Sequence, residues 1–293
     1  MTILADKDTR VIVQGITGRI GAVQTRFMLD YGTKIVAGVT PGKEGQTVEG
    51  VPVYDTVKDA ADRYSADASI IFVPAPSARD AAFEAIAAGI RLLVIVTERI
   101  PIHDALKMGS FGKKTHAIVI GPNTPGIISP GRTKIGIMPG NLFKAGRVGV
   151  VSRSATLSYE IAGNLTEAGI GQSTCVGIGG DRVTGVTLLD VLKLFQEDEQ
   201  TRAVVVVGEV GRTVEEEVAE YVKAGSFEKP VVSFIAGRSA PEGRRLGHAG
   251  AIIEGGKGTA ESKIRALKDA GIPVADRPSD IPEMIKHCLY TVS

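Results

Sequence analysis

A single imidazole, His248, stands between Gly247 and the run Ala249-Gly250-Ala251, in a segment that opens with Gly237-Arg238-Ser239, passes Arg244 and Arg245, and ends at Gly255-Gly256-Lys257-Gly258. Small residues let a ligand or a partner chain approach the backbone, and the arginines attract anions. An imidazole presented in this way can act as a nucleophile toward a phosphoryl group, provided one ring nitrogen is held by an acceptor and the other stays free. Glu209, which follows the apolar run Ala203 to Val207, is placed to be that acceptor. Each residue also has a plainer reading: a solvent-facing loop histidine, and a capping or rim glutamate. The choice between them rests on what the rest of the chain places beside the pair.

Two halves of the chain alternate short apolar runs with amphipathic segments, the pattern of parallel strands joined by helices. Arg10-Val11-Ile12-Val13-Gln14 leads into Gly15-Ile16-Thr17-Gly18-Arg19-Ile20-Gly21, a strand, a glycine turn and a helix start. That context suits phosphate, because free N–H groups and the positive dipole end face the ligand. The spacing is G-x-x-G-x-x-G rather than G-x-G-x-x-G, and a merely structural turn would show it too. After the strand Lys34 to Val39 comes Thr40-Pro41-Gly42-Lys43, a lysine where an NAD fold carries an acid, which favours NADP or coenzyme A. Further strands are expected at 68–73, 92–96 and 117–120, with a hairpin-like excursion at Val51 to Tyr54. Prolines and glycines from Gly121 to Gly146 read as a linker.

In the second half, strands are expected at 148–151, 174–178, 203–207 and 231–235. Ser154 or Thr156 can cap the helix that follows the first of them and leave another anion seat. The last stretch, from Ala260, reads as helix, strand, helix. Segments following parallel strands share one sheet edge, so Glu209, His248 and the helix start at Ser154 are expected to converge. His103, His116 and His287 have no such setting and read as structural.

Composition sets the outer bounds. The 293 residues favour two domains, and 34 Lys+Arg against 33 Asp+Glu give no support for a nucleic-acid surface. With 36 glycines, no tryptophan and many β-branched residues, the chain has the make-up of parallel sheets wrapped by helices. Cys175 and Cys288 are too few for a disulfide framework or a zinc site, no other metal-ligand set stands out, and no apolar run approaches the ~18 residues of a membrane span. Charges at the N-terminus stand where a signal peptide needs an apolar core. A cytoplasmic setting is expected, or a mature form inside an organelle.

Eight motifs in order, Gly15-Ile16-Thr17-Gly18, Thr40-Pro41-Gly42-Lys43, Val73-Pro74-Ala75-Pro76, Gly121-Pro122-Asn123, Val151-Ser152-Arg153-Ser154, Gly177-Ile178-Gly179-Gly180-Asp181, Gly208-Glu209 and Gly247-His248-Ala249-Gly250-Ala251, resemble the α subunits of succinyl-CoA synthetases along essentially the whole chain. The resemblance implies a Rossmann-like CoA-binding domain at 1–125, a linker at 126–146, and a flavodoxin-like doubly wound parallel-sheet domain at 147–293. It implies that CoA contacts Thr17, Gly18, Arg19, Ile20, Lys43, Val96, Thr97 and Glu98. Ser154 and Ala155 would seat phosphate, and Asn123, Thr124, Tyr159 and Arg182 would meet the organic acid. By the same likeness His248 is transiently phosphorylated and Glu209 steadies it. A carboxylate is a poor acyl donor; the family activates it as an acyl phosphate, and the histidine carries the phosphoryl group to or from a nucleotide. That nucleotide, ATP or GTP with Mg2+, belongs on a β subunit of ATP-grasp fold. Consistently, the sequence has no G-x-x-x-x-G-K-[ST] segment.

Several positions depart from the family pattern: Ala155, Arg99 and Arg212 where glycine is expected, Thr124 for cysteine, and Arg182 for proline. Gly-Gly-Asp-Arg is similar to the ATP-citrate lyase and citryl-CoA synthetase branch, where a guanidinium could pair with an extra carboxylate. Succinate is the expected acid, with citrate or malate as alternatives. An NADP-dependent reductase and a non-catalytic CoA-binding module are the readings from other classes; NADPH binding without CoA binding would mark the first, and CoA binding without thioester formation the second.

Overall fold

Runs such as Val11-Ile12-Val13 and Val204-Val205-Val206-Val207 are apolar at successive residues, so any strand they form must be covered on both faces. The computed structural model describes residues 3–239, 248–253 and 258–290, and in it all of these side chains are fully buried. The first sheet comprises β1 (Arg10–Gln14), β2 (Lys34–Val39), β3 (Thr47–Val48), β4 (Val51–Tyr54), β5 (Ala68–Ile71), β6 (Leu92–Ile95) and β7 (Ile118–Ile120). Helices α1 (Arg19–Asp30), α2 (Val57–Tyr64), α3 (Ala75–Ala87) and α4 (Ile102–Thr115) connect them. The order is β3-β4-β2-β1-β5-β6-β7, and only β3 runs antiparallel to its neighbour, in the expected hairpin. Without that short edge this is the Rossmann order, with its switch point between β1 and β5.

The second sheet is built from β8 (Gly126–Ser129), β9 (Thr133–Gly136), β10 (Ala145–Ser152), β11 (Gln172–Gly177), β12 (Ala203–Glu209), β13 (Val231–Ala236) and β14 (Val274–Ala275). Its helices are α5 (Ala155–Glu167), α6 (Leu188–Glu197), α7 (Val214–Lys223), α8 (Ala260–Asp269) and α9 (Ile281–Tyr290). The order β14-β13-β12-β10-β11-β8-β9 contains a flavodoxin-type run of five parallel strands. Two antiparallel strands extend it past β11.

Those two strands correct the expectation of a linker at 126–146. Ile127, Ile128 and Ile135 are fully buried in this hairpin. Gly126 and Gly136 face each other across it, and an added Cβ would come within 2.1 Å of the Ile135 carbonyl oxygen at one and 2.2 Å of that of Pro125 at the other. Glycine there marks close strand packing rather than a flexible tether. One continuous apolar cluster joins Val94 and Ile120 of the first sheet to Ile127, Ile135 and Val176 of the second. The first sheet is thereby held against the second, with β6 meeting β8. No helix among the described residues is long and apolar enough to cross a membrane.

Candidate active site

The glycine turn after β1 works as its spacing suggests. Gly15 takes φ +78, a conformation that favours glycine. A Cβ on Gly21 would stand 2.2 Å from the Gly15 carbonyl oxygen, so α1 can seat against the turn only with glycine there. Replacing Gly21 with alanine is expected to cost about 1–3 kcal/mol of stability, read as a lowered midpoint in urea unfolding. Gly18 caps α1 without a side-chain bond, which leaves first-turn N–H groups for a ligand. Thr17, Gly18, Arg19 and Ile20 line a cavity of about 870 Å³ walled opposite by Pro41, Val73 and Pro74. Lys43 lies on the exposed turn just beyond Pro41, where its backbone N–H donates to Asp55, and is not part of the wall.

A second cavity, of about 470 Å³, opens between the two sheets and is lined by Glu98, Arg99, Asn123, Asp181, Arg182 and His248, among others. The loop after β6 joins the two cavities. The Thr97 hydroxyl donates to the Val73 carbonyl of the first, and its neighbour Glu98 lines the second. Val96 stays tied to β5 through its N–H and lines neither.

His248 Nδ1 lies 2.8 Å from Glu209 Oε2. A carboxylate accepts, so in the neutral ring Nδ1 carries the proton and Nε2 keeps its lone pair. The imidazole side chain is 31% exposed, whereas the Glu209 side chain is 9% exposed at the end of β12. Gly180 supplies the floor: an added Cβ would sit 2.5 Å from the ring's Cγ and Cδ2. Gly250 N–H donates to the Gly180 carbonyl at 3.1 Å and fixes the chain beyond the ring. Asn123 Nδ2 donates to Asp181 Oδ1 at 3.1 Å across the seam between the halves. Within this loop Arg244, Arg245, Gly247, Gly255, Gly256 and Lys257 lie outside the described residues.

The hydrogen bond to Glu209 raises the His248 pKa above the ordinary histidine value, against the opposing pull of burial and of Arg153, with Asp181 adding to the rise. The phosphoryl acceptance expected of this ring from the sequence would need its neutral form, so its rate should climb with pH through that raised value. In Glu209→Gln the carboxylate charge is gone, the ring titrates lower, and the acidic limb of the pH profile should move to lower pH. The maximal rate should fall about 10²–10⁴-fold, because an amide can also hold the wrong tautomer. Labelling rates from pH 5 to 9 check both parts.

Not every expected residue reaches the cavity. Tyr159 faces the helix-covered core instead: its ring meets Phe143 edge-on at 6.4 Å, and burial pushes its hydroxyl up to about 12. Thr124 is buried, with its hydroxyl donating to the Gly177 carbonyl and accepting from Gly126 N–H, so it is spent on the chain's own turn. Ser154 caps α5 by accepting from Leu157 N–H, and Ala155 is the first helical residue, where an added methyl is harmless. Neither is on the cavity wall. His103, His116 and His287 lie elsewhere, on α4, at its C-cap and on α9.

Arg153 is the residue the sequence reading passed over. Its side chain is fully buried, and its guanidinium donates to the carbonyls of Glu209 and Gly211 at 3.0 and 2.9 Å and to Glu215 Oε1 at 3.0 Å. Glu215 and Lys263 are equally buried and paired. Burial alone would raise the Glu215 pKa, but Arg153 and Lys263 outweigh it and hold that carboxyl below the usual range. Arg99 and Arg212, where glycine was expected, take φ of 62 and 59, so the glycine preference reports a left-handed backbone that arginine adopts at a cost.

A Rossmann-type sheet with an uncapped helix start, joined to a flavodoxin-type sheet that holds a histidine on a carboxylate, defines a CoA-dependent acid–thiol ligase subunit. The CoA binding domain profile matches residues 6–99 and the CoA-ligase profile residues 151–272. The chain belongs to the family of succinate–CoA ligase α subunits. It is 57% identical to succinate–CoA ligase [ADP-forming] subunit alpha 1 of Archaeoglobus fulgidus over 99% of both chains, and 55% identical to the α subunit of Staphylococcus epidermidis over 96% of this chain and 93% of that one. Among solved structures, a mutant ATP citrate lyase of Methanosaeta concilii in complex with (3S)-citryl-CoA superposes with a TM-score of 0.91 at 28% identity. This chain covers 51% of that longer one and is itself covered over 99%.

Proposed function

We propose that this chain is the α subunit of an ADP- or GDP-forming succinate–CoA ligase, acting in the cytoplasm with a β subunit of ATP-grasp fold. The single observation that carries the reading is the 2.8 Å bond from His248 Nδ1 to Glu209, which leaves Nε2 as the reacting nitrogen in a cavity shared by both halves. In the forming direction Nε2 takes the γ-phosphoryl group of ATP or GTP as the bond to the diphosphate breaks. A succinate oxygen then attacks that phosphorus, the N–P bond breaks, and succinyl phosphate forms. The CoA thiolate attacks the acyl carbon, a C–S bond forms, and inorganic phosphate leaves. Mg2+ on the β subunit would neutralise nucleotide phosphate charge.

On this chain, the free N–H groups after Gly18 would hold a CoA phosphate, with Thr17, Arg19 and Ile20 beside them and Lys43 reaching in from its turn. The pantetheine arm would pass Val96, Thr97 and Glu98 to place sulfur near His248. Asn123 and Arg182 would meet the acid, and the α5 start at Ser154-Ala155, set back from the cavity wall, would act on phosphate through its dipole. The guanidiniums of Arg182 and Arg99 at the same cavity support citrate or malate as the second candidate substrate. Thioester formation by the reconstituted αβ pair with succinate, malate and citrate decides between them; no thioester with any of the three overturns the reading.

A further inference from the structure

We infer that Arg153 is a positioning residue for phosphoryl transfer, holding both ends of the Glu209–His248 hydrogen bond through one buried guanidinium. The inference rests on the phosphohistidine reading above. Four separate segments meet at this group. From the end of β10, Arg153 Nη1 donates to the carbonyls of Glu209 and Gly211, and Nη2 donates at 3.3 Å to the carbonyl of Gly250, two residues past His248. Nη2 also stands 3.3 Å from Glu209 Oε1, the carboxylate oxygen that His248 does not use. One side chain thus grips the carboxylate, the strand end that carries it and the chain that carries the ring.

Glu215, in the first turn of α7, makes the grip rigid. Its Oε1 accepts from Arg153 Nη1 at 3.0 Å and from the Glu209 backbone N–H at 3.2 Å, and its Oε2 accepts from Lys263 of α8. Lys263, fully buried, also donates to Glu216 and to the Arg212 carbonyl. Gly208 makes room, since a Cβ there would stand 2.6 Å from Glu215 Oε1. The cluster sets the cations Arg153 and Lys263 against Glu215 and Glu216, and Arg212 adds a third cation whose charge also acts on Glu215 and Glu209. Arg153 orients that carboxylate without making a hydrogen bond to Oε1, which has no such partner.

A planar fork with five donors can serve several acceptors at once, and an ammonium cannot match that geometry. A misplacement of about 1 Å at a reacting group can cost roughly 10²-fold in rate. The charges facing the ring are Glu209, Arg153 and Asp181, with Glu98, Arg99 and Arg182 also lining the cavity. Arg153 lowers the His248 pKa by its charge, but the Glu209 hydrogen bond that it positions is the larger influence and raises it, so loosening that bond should bring the pKa down.

The test uses Arg153→Met and Arg153→Lys in the αβ complex, with γ-labelled ATP, and ¹H–¹⁵N titration of His248 in each. In Arg153→Met labelling is expected to slow about 10²-fold and His248, its bond to Glu209 loosened, to titrate closer to a free histidine. Lysine, which keeps the charge but not the fork, should restore titration and rate only in part. Circular dichroism and CoA binding by the first domain report folding. A folded variant that labels within about twofold of wild type, or Arg153→Met with an unmoved titration, overturns the proposal; if Arg153→Met does not fold, the Arg153→Lys rate decides it. Failure of wild type to label would overturn the phosphohistidine reading instead.

Discussion

Replacing His248 with asparagine is expected to abolish labelling from γ-labelled ATP and to cut acyl-CoA formation by about 10⁴-fold or more. Asparagine is close in size and keeps a donor that can reach Glu209, so the fold around it has no reason to change. What it lacks is the free nitrogen lone pair that forms the N–P bond. CoA binding should stay at the wild-type level, because the cavity beneath α1 shares no lining residue with the His248 cavity. Separating the two readouts matters, since loss of both would mean a misfolded chain. A His248→Asn complex that still takes up label places the phosphoryl acceptor elsewhere.

How far this site could be foreseen depends on how local its determinants are. Val11-Ile12-Val13 and Ile70-Ile71 announce strands covered on both faces because they are apolar at every residue. Gly15, Gly18 and Gly21 mark a strand-to-helix turn by their spacing. The order of strand-ending loops then places Glu209 and His248 on one sheet edge. Arg153 escaped because Ser-Arg-Ser reads as a basic loop open to water. Its burial is made affordable by partners 56 to 97 residues away, at Glu209, Glu215 and Gly250, and nothing near position 153 shows them. Lys263 escaped in the same way, as one more charge on an amphipathic helix. The 126–146 segment misled for a different reason: its glycines serve close strand contact, yet in sequence they resemble those of a tether. Tyr159 shows the limit of motif transfer, since its position on α5 turns it toward Phe143 and the core.

Gly180→Ala should disable the site while leaving the protein folded, and it tests the geometry rather than the identity of the nucleophile. Gly180 has no left-handed φ, so alanine can adopt its backbone without strain. The nearest conflict is with the imidazole, whose Cγ and Cδ2 would lie 2.5 Å and Nδ1 2.9 Å from the new methyl. Two responses are open. The loop can lift, which breaks the 3.1 Å bond from Gly250 N–H to the Gly180 carbonyl and strains the Arg153 grip. Or the ring can swing toward solvent, which a side chain already 31% exposed can do at lower cost. The second wins, because Gly250 is tied both to Gly180 and to the buried Arg153, whereas the ring is held through Glu209. Labelling should therefore fall about 10²-fold or more, while stability drops by only ~1 kcal/mol. That corresponds to roughly 2–4 °C in melting temperature for a chain of this size class. His248 should also titrate closer to a free histidine once it has left Glu209. Wild-type labelling in Gly180→Ala would mean that the reacting ring does not rest on this glycine, and that the Glu209-bound conformation is not the one that accepts phosphate.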